Sequence, residues 1–193
     1  MASTSGFAGI VLAGGAGSRL GGRDKPAIRL SGRSLLDRTL EAASEAESLV
    51  VVGPRRPTTR PVRWTREQPE GSGPVAALAA GLDVLSPAAS WVAVLAADHP
   101  WLGRDTLRRL LEACRAAPDS GGAVLVDTGD RPQWLVGVWR VEPLRGAVPA
   151  RPQNVALGGV LDRLRPLRVP AAPGEATDVD TPEDLRRALR EMR

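Results

Sequence analysis

The feature that most constrains this chain is the passage from residues 7–13 (FAGIVLA) straight into a loop carrying five glycines in nine positions, Gly14 to Gly22. A short apolar run without polar alternation reads as a strand buried on both faces, the pattern of a parallel sheet. Glycine has no Cβ to keep an anion away from backbone N–H groups, so such a loop at a strand exit reads as a cradle for polyphosphate. Its first part, Leu12-Ala13-Gly14-Gly15-Ala16-Gly17, supplies the backbone donors. Arg19 adds a planar fork that grips phosphate bidentately, and Lys25 adds a point charge able to follow a phosphate oxygen through in-line displacement. Lys25 is the single lysine among 26 basic residues, a position spared by a bias that sets arginine everywhere else. A compact ammonium is what that position needs.

Two other phosphate motifs are excluded by inspection. A Walker loop requires Gly-Lys followed by Ser or Thr, whereas Lys25 stands between Asp24 and Pro26. The dinucleotide fingerprint requires a sixth-place glycine, and counting from Gly15 that place is Leu20.

The rest of the chain alternates strand and helix signals. Ser34 caps a helix over residues 35–46, residues 48–53 form the next buried strand, and residues 62–66 a shorter one. Residues 74–84 read as a helix with proline in its first turn. Residues 91–97 (WVAVLAA) are the most apolar strand, ending in Asp98, and a helix over 104–117 follows. Residues 122–127 and 134–140 read as strands around a turn at 128–131, a hairpin or bulged pair near a sheet edge. The pattern does not determine residues 144–159. It gives a helix at 160–164, a short strand at 167–169, and a terminal helix over 181–192 with Thr181 as its cap. Alternating elements of this kind imply right-handed crossovers and a three-layer α/β/α sandwich on a mostly parallel, Rossmann-like sheet. The expected organisation is one domain over 1–193. Ligands of such sheets bind beyond the carboxyl ends of the strands, where the glycine loop and Asp98 both lie.

Composition removes several function classes. Apolar residues make up 42% and charged residues 25%, a globular balance, and no apolar run approaches the roughly 20 residues of a spanning helix. With a single cysteine, Cys114, neither a disulfide framework nor a thiolate metal cluster forms within the chain; Cys114 reads as a buried apolar residue of its helix. The only histidine, His99, reads as a packing or cap residue. The net charge of +4 comes from arginines scattered along helices, which reads as solvated surface and not as a nucleic-acid patch. The chain start lacks a basic segment ahead of its apolar run, so a cytoplasmic enzyme is expected.

The loop resembles the signature of the nucleoside-diphospho-sugar transferase-like superfamily, and its short Gly-Gly-x-Asp-Lys ending resembles the molybdenum cofactor guanylyltransferases. Other segments resemble that family too. Gly71-Ser72-Gly73-Pro74-Val75-Ala76-Ala77-Leu78 is similar to its Gly-Pro-Leu-Ala-Gly turn, although Val75 and Ala77 depart from it, and reads either as a turn beside the base, with Ser72 on the purine edge, or as an ordinary helix start. Asp98 stands where the family places its magnesium carboxylate. Thr177 to Leu185 (TDVDTPEDL) resembles the closing motif, with Asp178 and Asp180 in place of asparagines. Alternate residues of an extended segment point one way, so both carboxylates can reach one site, with Asp178 as a second metal ligand; Asp180 and Thr181 read equally as a helix cap. Residues 127–135 (DTGDRPQWL) resemble the stretch near the pterin acceptor, where Gln133 and Trp134 would bond and stack, or else form a bare hairpin turn.

The resemblance implies a nucleotidyltransferase that moves GMP from GTP to the terminal phosphate of molybdopterin, with Mg²⁺ as cofactor. It implies Arg19, Lys25 and Asp98 as the catalytic set, with Leu12 to Gly17, Lys25, Gly73, Pro74 and Asp98 around the nucleotide. The expected partners are the two small substrates and, transiently, other cofactor-biosynthesis proteins, without nucleic acid or membrane, in a monomer or weak oligomer. CTP, a phospholactate or sugar phosphate acceptor, and a catalytically silent nucleotide-binding module stay open as alternatives.

Overall fold

A computed structural model describes residues 6–15 and 22–192. At its centre is β1 (Phe7–Leu12), buried along its whole length. Ala8, Ile10 and Leu12 face one core, and Phe7 and Val11 the other. β1 pairs in parallel with β4 (Ser48–Val52) on one side and β6 (Trp91–Ala96) on the other. β5 (Arg63–Thr65) continues the parallel run beyond β4. Beyond β6 come β8 (Pro132–Arg140), β7 (Gly122–Val126) and β9 (Leu167–Pro170), giving the order β5-β4-β1-β6-β8-β7-β9. β8 is antiparallel to both its neighbours, while β7 and β9 are parallel. The mostly parallel sheet of a three-layer sandwich is therefore present.

Helices cover both faces. α1 (Leu35–Ala42) and α3 (Arg104–Ala116) pack on one side. Leu107, Leu110, Leu111 and Cys114 recur at the spacing of one helical face and are all buried. The Cys114 thiol bonds to the Val138 carbonyl at 3.4 Å, and burial pushes its pKa up to about 11, so this sulfur packs and does not react. α2 (Pro74–Asp83), α4 (Val141–Ala147) and α5 (Leu157–Leu161) pack on the other side. A third cluster joins the hairpin of β2 (Arg29–Leu30) and β3 (Arg33–Ser34) to α6 (Pro182–Glu191), through Leu30, Leu35, Val179, Leu185 and Ala188. Among the described residues no helix is long and apolar enough to cross a membrane.

Some boundaries differ from those read in the sequence. α1 stops at Ala42 because the chain turns back early: Ser44 N bonds Glu41 O at 3.1 Å, and Glu47 N bonds Phe7 O at 2.9 Å to start β4. The β7/β8 pair is antiparallel with a register shift between Val124 and Val126, as a bulged pair should be. β8 lies inside the sheet between β6 and β7, and the short β9 pairs with β7 and takes the edge. Pro132 begins β8 two residues early, opposite Val126 at the irregularity, where its missing N–H costs no regular ladder bond. The undetermined stretch contains most of α4, whose Pro143 falls in the tolerant first turn, and the start of α5. The expected helix over 160–164 is α5 followed by a 3₁₀ turn, Asp162–Leu164.

The connection from β9 to α6 is tied to α3 by a buried carboxylate. Glu175 accepts from Thr106 Oγ1 at 2.6 Å, from Ala172 N at 2.7 Å, and from the Arg109 guanidinium. Burial alone would raise its pKa, but the donors outweigh burial and hold it below the usual carboxylate range. A folded-state pKa below the unfolded one stabilises the protein above the ordinary carboxylate pKa, and that contribution fades as pH falls through the folded value. Glu175→Gln should thus lower the unfolding free energy by about 1–3 kcal/mol at neutral pH. The gap to wild type should narrow below about pH 4. Urea unfolding across a pH series checks this, and a gap independent of pH would contradict it.

Candidate active site

Parallel pairing brings the site together. Leu12 is in register with Ala96, and Ala97 N bonds Leu12 O at 3.2 Å, so the glycine loop and Asp98 leave the sheet side by side. Val179 N then bonds Asp98 O at 3.0 Å. With the Val179 side chain buried in the α6 cluster, the flanking Asp178 and Asp180 turn together toward Asp98. One oxygen from each of Asp98, Asp178 and Asp180 lies within 4.8 Å of the others. Into this cluster reaches Lys25, from the 3₁₀ turn Lys25–Ala27, donating to Asp98 Oδ2 at 2.7 Å and to Asp180 Oδ1 at 2.5 Å. His99 is buried and its Nδ1 donates to Asp98 Oδ1 at 2.9 Å, which fixes that carboxylate's orientation.

The charges respond to one another. Burial works against the Asp98 carboxylate, but the His99 hydrogen bond and the Lys25 ammonium overcome it and hold its pKa down to about 2. Burial also lowers the Lys25 pKa, and the two carboxylates more than reverse that, so the ammonium is held charged. Asp178 goes the other way: burial, then the like charges of Asp180 and Asp98, push its carboxyl up. Three carboxylates against one ammonium leave a surplus of negative charge in a half-buried place. Hard oxygen donors converging in this way suit Mg²⁺, which is held by one or two carboxylates together with phosphate oxygens. The residues therefore fit a divalent cation: Asp98 and Asp178, singled out in the sequence, converge with Asp180.

Next to the loop lies a cleft of about 300 Å³ lined by Gly14, Gly15, Gly53, Pro54, Arg66, Glu67, Glu70 and Gly71. Among the described residues the backbone N–H groups of Gly14 and Gly15 have no hydrogen-bond partner. Gly15 has φ of +117°, which favours glycine, and a Cβ on either residue would meet nothing of the protein within 4 Å. A second cleft of about 470 Å³, lined by Asp127, Thr128, Asp178 and residues of the 171–177 connection, opens on the other side of Asp178.

Of the other residues singled out in the sequence, Ala16, Gly17 and Arg19 lie outside the described residues. Leu12 and Ala13 are buried and end the strand. Gly73, with φ of +92°, caps α2 ahead of Pro74, and Gly71, not Gly73, lines the first cleft. Ser72 is buried, and its hydroxyl donates to Pro69 O at 2.5 Å. Thr181 caps α6 in a capping box with Asp184, while Asp180 bonds Lys25. Gln133 bonds the Arg131 carbonyl at 3.5 Å at the exposed start of β8, and the Trp134 indole packs against Gly158 of α5. Neither lines the second cleft.

Sequence reading passed over Glu67, Arg56 and Glu175. Glu67 sits in the turn-rich segment before α2, where a lone acid carries no spacing signal, and its Oε1 accepts from Gly71 N at 3.0 Å. The alternation of Asp178 and Asp180 was the one readable sign that Asp180 belongs to the site.

Comparison with known proteins agrees with this geometry. The family model for the MobA-like NTP transferase domain matches residues 9–167. A molybdenum cofactor guanylyltransferase of Rhodobacter capsulatus is 32% identical over 198 residues, covering 97% of each chain. One from Bradyrhizobium sp. (strain ORS 278) is 34% identical over 157 residues, covering 76% of this chain and 73% of its own. The crystal structure of molybdopterin-guanine dinucleotide biosynthesis protein A from Archaeoglobus fulgidus superposes with a TM-score of 0.73 at 23% identity, over 96% of this chain and 98% of that one. A glycine loop, a lysine and an acid cluster on this sheet are thus set in a family context, and the chain belongs to the MobA-like NTP transferase family of nucleotidyltransferases.

Proposed function

We propose that this enzyme transfers GMP from GTP to the terminal phosphate of molybdopterin, releasing pyrophosphate, as a cytoplasmic step of molybdenum cofactor synthesis with Mg²⁺ as cofactor. The observation that carries the reading is the cleft lined by Gly14 and Gly15, whose backbone N–H groups have no partner among the described residues, beside the Lys25–Asp98–Asp180 cluster. Polyphosphate is the ligand that satisfies both at once. The open space over Gly14 and Gly15, where a Cβ would stand, is the room such a ligand takes.

The base is assigned to the far end of the same cleft. A carboxylate only accepts hydrogen bonds. Glu67 keeps acceptor capacity beyond its bond to Gly71, while Glu70 is paired with Arg66 at 2.6 Å. Guanine presents two adjacent N–H donors on its Watson–Crick edge; cytosine and adenine present a donor beside an acceptor, which would face Glu67 lone pair to lone pair. This favours GTP over CTP. The acceptor is assigned to the second cleft, which opens on Asp178, instead of to Gln133 and Trp134.

In the reaction an oxygen of the acceptor's terminal phosphate attacks the α-phosphorus of GTP, the bond from that phosphorus to the bridging oxygen breaks, and pyrophosphate leaves. The attacking group is already an anion, so neither a covalent nucleophile nor a strong base is needed. Catalysis is positioning and charge neutralisation. The loop amides hold the phosphates, Lys25 supplies a mobile positive charge next to them, and His99 fixes the Asp98 carboxylate. Bound Mg²⁺, held by Asp98 with Asp178 and Asp180, would supply charge neutralisation on the phosphates.

Lys25→Ala should reduce turnover by about 10²–10³-fold with the fold intact, read as pyrophosphate release alongside circular dichroism. Near-normal release would sink the assignment. Release should occur with GTP plus molybdopterin and not with CTP or ATP; binding without release in every combination would favour a silent module. Glu67→Gln should raise the KM for GTP about tenfold or more, with little change in kcat, through loss of a charged acceptor.

A further inference from the structure

We infer that Arg56 is a positioning residue for Lys25, acting through Asp24, and that the four-residue exit of β4 clasps both ends of the nucleotide loop. This deepens the nucleotide reading above and rests on it. The two ends are held in different ways by the same stretch, residues 53–56. At the start of the loop, Gly53 lies so close to the backbone that a Cβ on it would come within 2.7 Å of Ala13 O and 3.0 Å of Gly14 N, and its φ is +143°. Ala13 N bonds Val52 O at 2.8 Å. At the end of the loop, the Arg56 guanidinium closes on the Asp24 carboxylate: Nε lies 3.0 and 2.8 Å from its two oxygens, and the second terminal nitrogen 2.6 Å from Oδ1.

Three features mark this pair as more than a surface ion pair. The Arg56 side chain is only 11% exposed. Its remaining nitrogen donates to Pro54 O at 2.8 Å, so each guanidinium nitrogen already has an acceptor within the protein. Asp24 stands at the cap position of the 3₁₀ turn that carries Lys25, yet its side chain makes no cap bond. An aspartate there ordinarily caps the turn; here the carboxylate is turned to Arg56, which makes the start of the Lys25 turn a fixed point. A bidentate fork sets direction as well as distance, and a lysine cannot replace it. Through this clasp, β4 sets how far Lys25 stands from Gly14, and so where the ammonium meets phosphates held by the loop.

The test is a double-mutant cycle on Arg56→Met and Asp24→Asn, with Arg56→Lys beside it. It is read by fluorescent GTP binding, by the kcat and KM of pyrophosphate release, and by amide hydrogen exchange of residues 22–28 in the protein without ligand. Each single variant should weaken GTP binding about tenfold, and the double variant should cost no more than either alone, because both remove one shared contact. Exchange of 22–28 should quicken in both, the thermal midpoint should hardly move, and Arg56→Lys should recover only part of the loss. Additive effects, with Arg56→Met far worse than Asp24→Asn, would make Arg56 a direct phosphate ligand and overturn the inference. Unchanged exchange would also overturn it, whatever the nucleotide does. Absence of GTP binding by the wild type, with exchange still quickened in the variants, would instead overturn the nucleotide reading and take the role of the clasp with it.

Discussion

The ammonium of Lys25, held between Asp98 and Asp180, is the contact on which the site depends, because it joins segments 73 and 155 residues away in the chain. Two unit charges about 5 Å apart interact by about 3 kcal/mol at an effective dielectric of 20. Three carboxylates at that separation therefore repel one another. One ammonium bonded to two of them offsets a large part of that repulsion, and what is left falls on Asp178, whose carboxyl is driven up. The same imbalance that makes the cluster costly to fold makes it a receptor for cations.

Backbone pairing brings those charges together, and buried side chains hold them there. β1 and β6 are neighbours in parallel register, so their exits coincide, and a single bond from Val179 N to Asp98 O aligns the third segment with them. The segment carrying Asp178 and Asp180 is too short to hold a fixed course alone. It is anchored on one side by Glu175 against α3 and on the other by Val179 in the α6 cluster. Buried supports behind partly exposed charges keep the carboxylates close. Asp98 and Asp180 both accept from Lys25, and the second oxygen of Asp98 accepts from His99 Nδ1.

The sequence made legible what depends on periodicity and on residue type, and left obscure what depends on partners far along the chain. The apolar runs over 7–13 and 91–97 and the caps at Ser34 and Thr181 each carry a local physical signal; the strands end one residue earlier, at Leu12 and Ala96, and both caps are where they were expected. Asp98 could be singled out because a carboxylate ending a buried strand is costly unless solvated or bound to a cation, and Asp178 because alternate positions of an extended segment share one side. Glu67, Arg56 and Glu175 were not, because each gains meaning from one contact made across the fold and none from its neighbours in sequence. The place of β9 at the sheet edge was hidden for a related reason: a short strand can be read locally, but its pairing with β7 is made across the fold.

The composition of the site follows from the chemistry assigned to it. A transfer in which an anionic phosphate attacks a phosphorus already flanked by anions has no shortage of nucleophile; its obstacle is the approach of like charges. The protein has one histidine, one cysteine and no tyrosine. The histidine is spent on orienting a carboxylate, and the cysteine is buried in α3. What the site offers instead are backbone N–H groups, one mobile ammonium and a set of oxygens for a hard cation. Those are the groups that lower a repulsive barrier without taking part in bond making. A chain that has replaced nearly every lysine by arginine keeps the exception at the place where a compact, freely rotating charge must sit among carboxylates, and the rigid fork of arginine takes the position two strands away, where holding a fixed direction is the task.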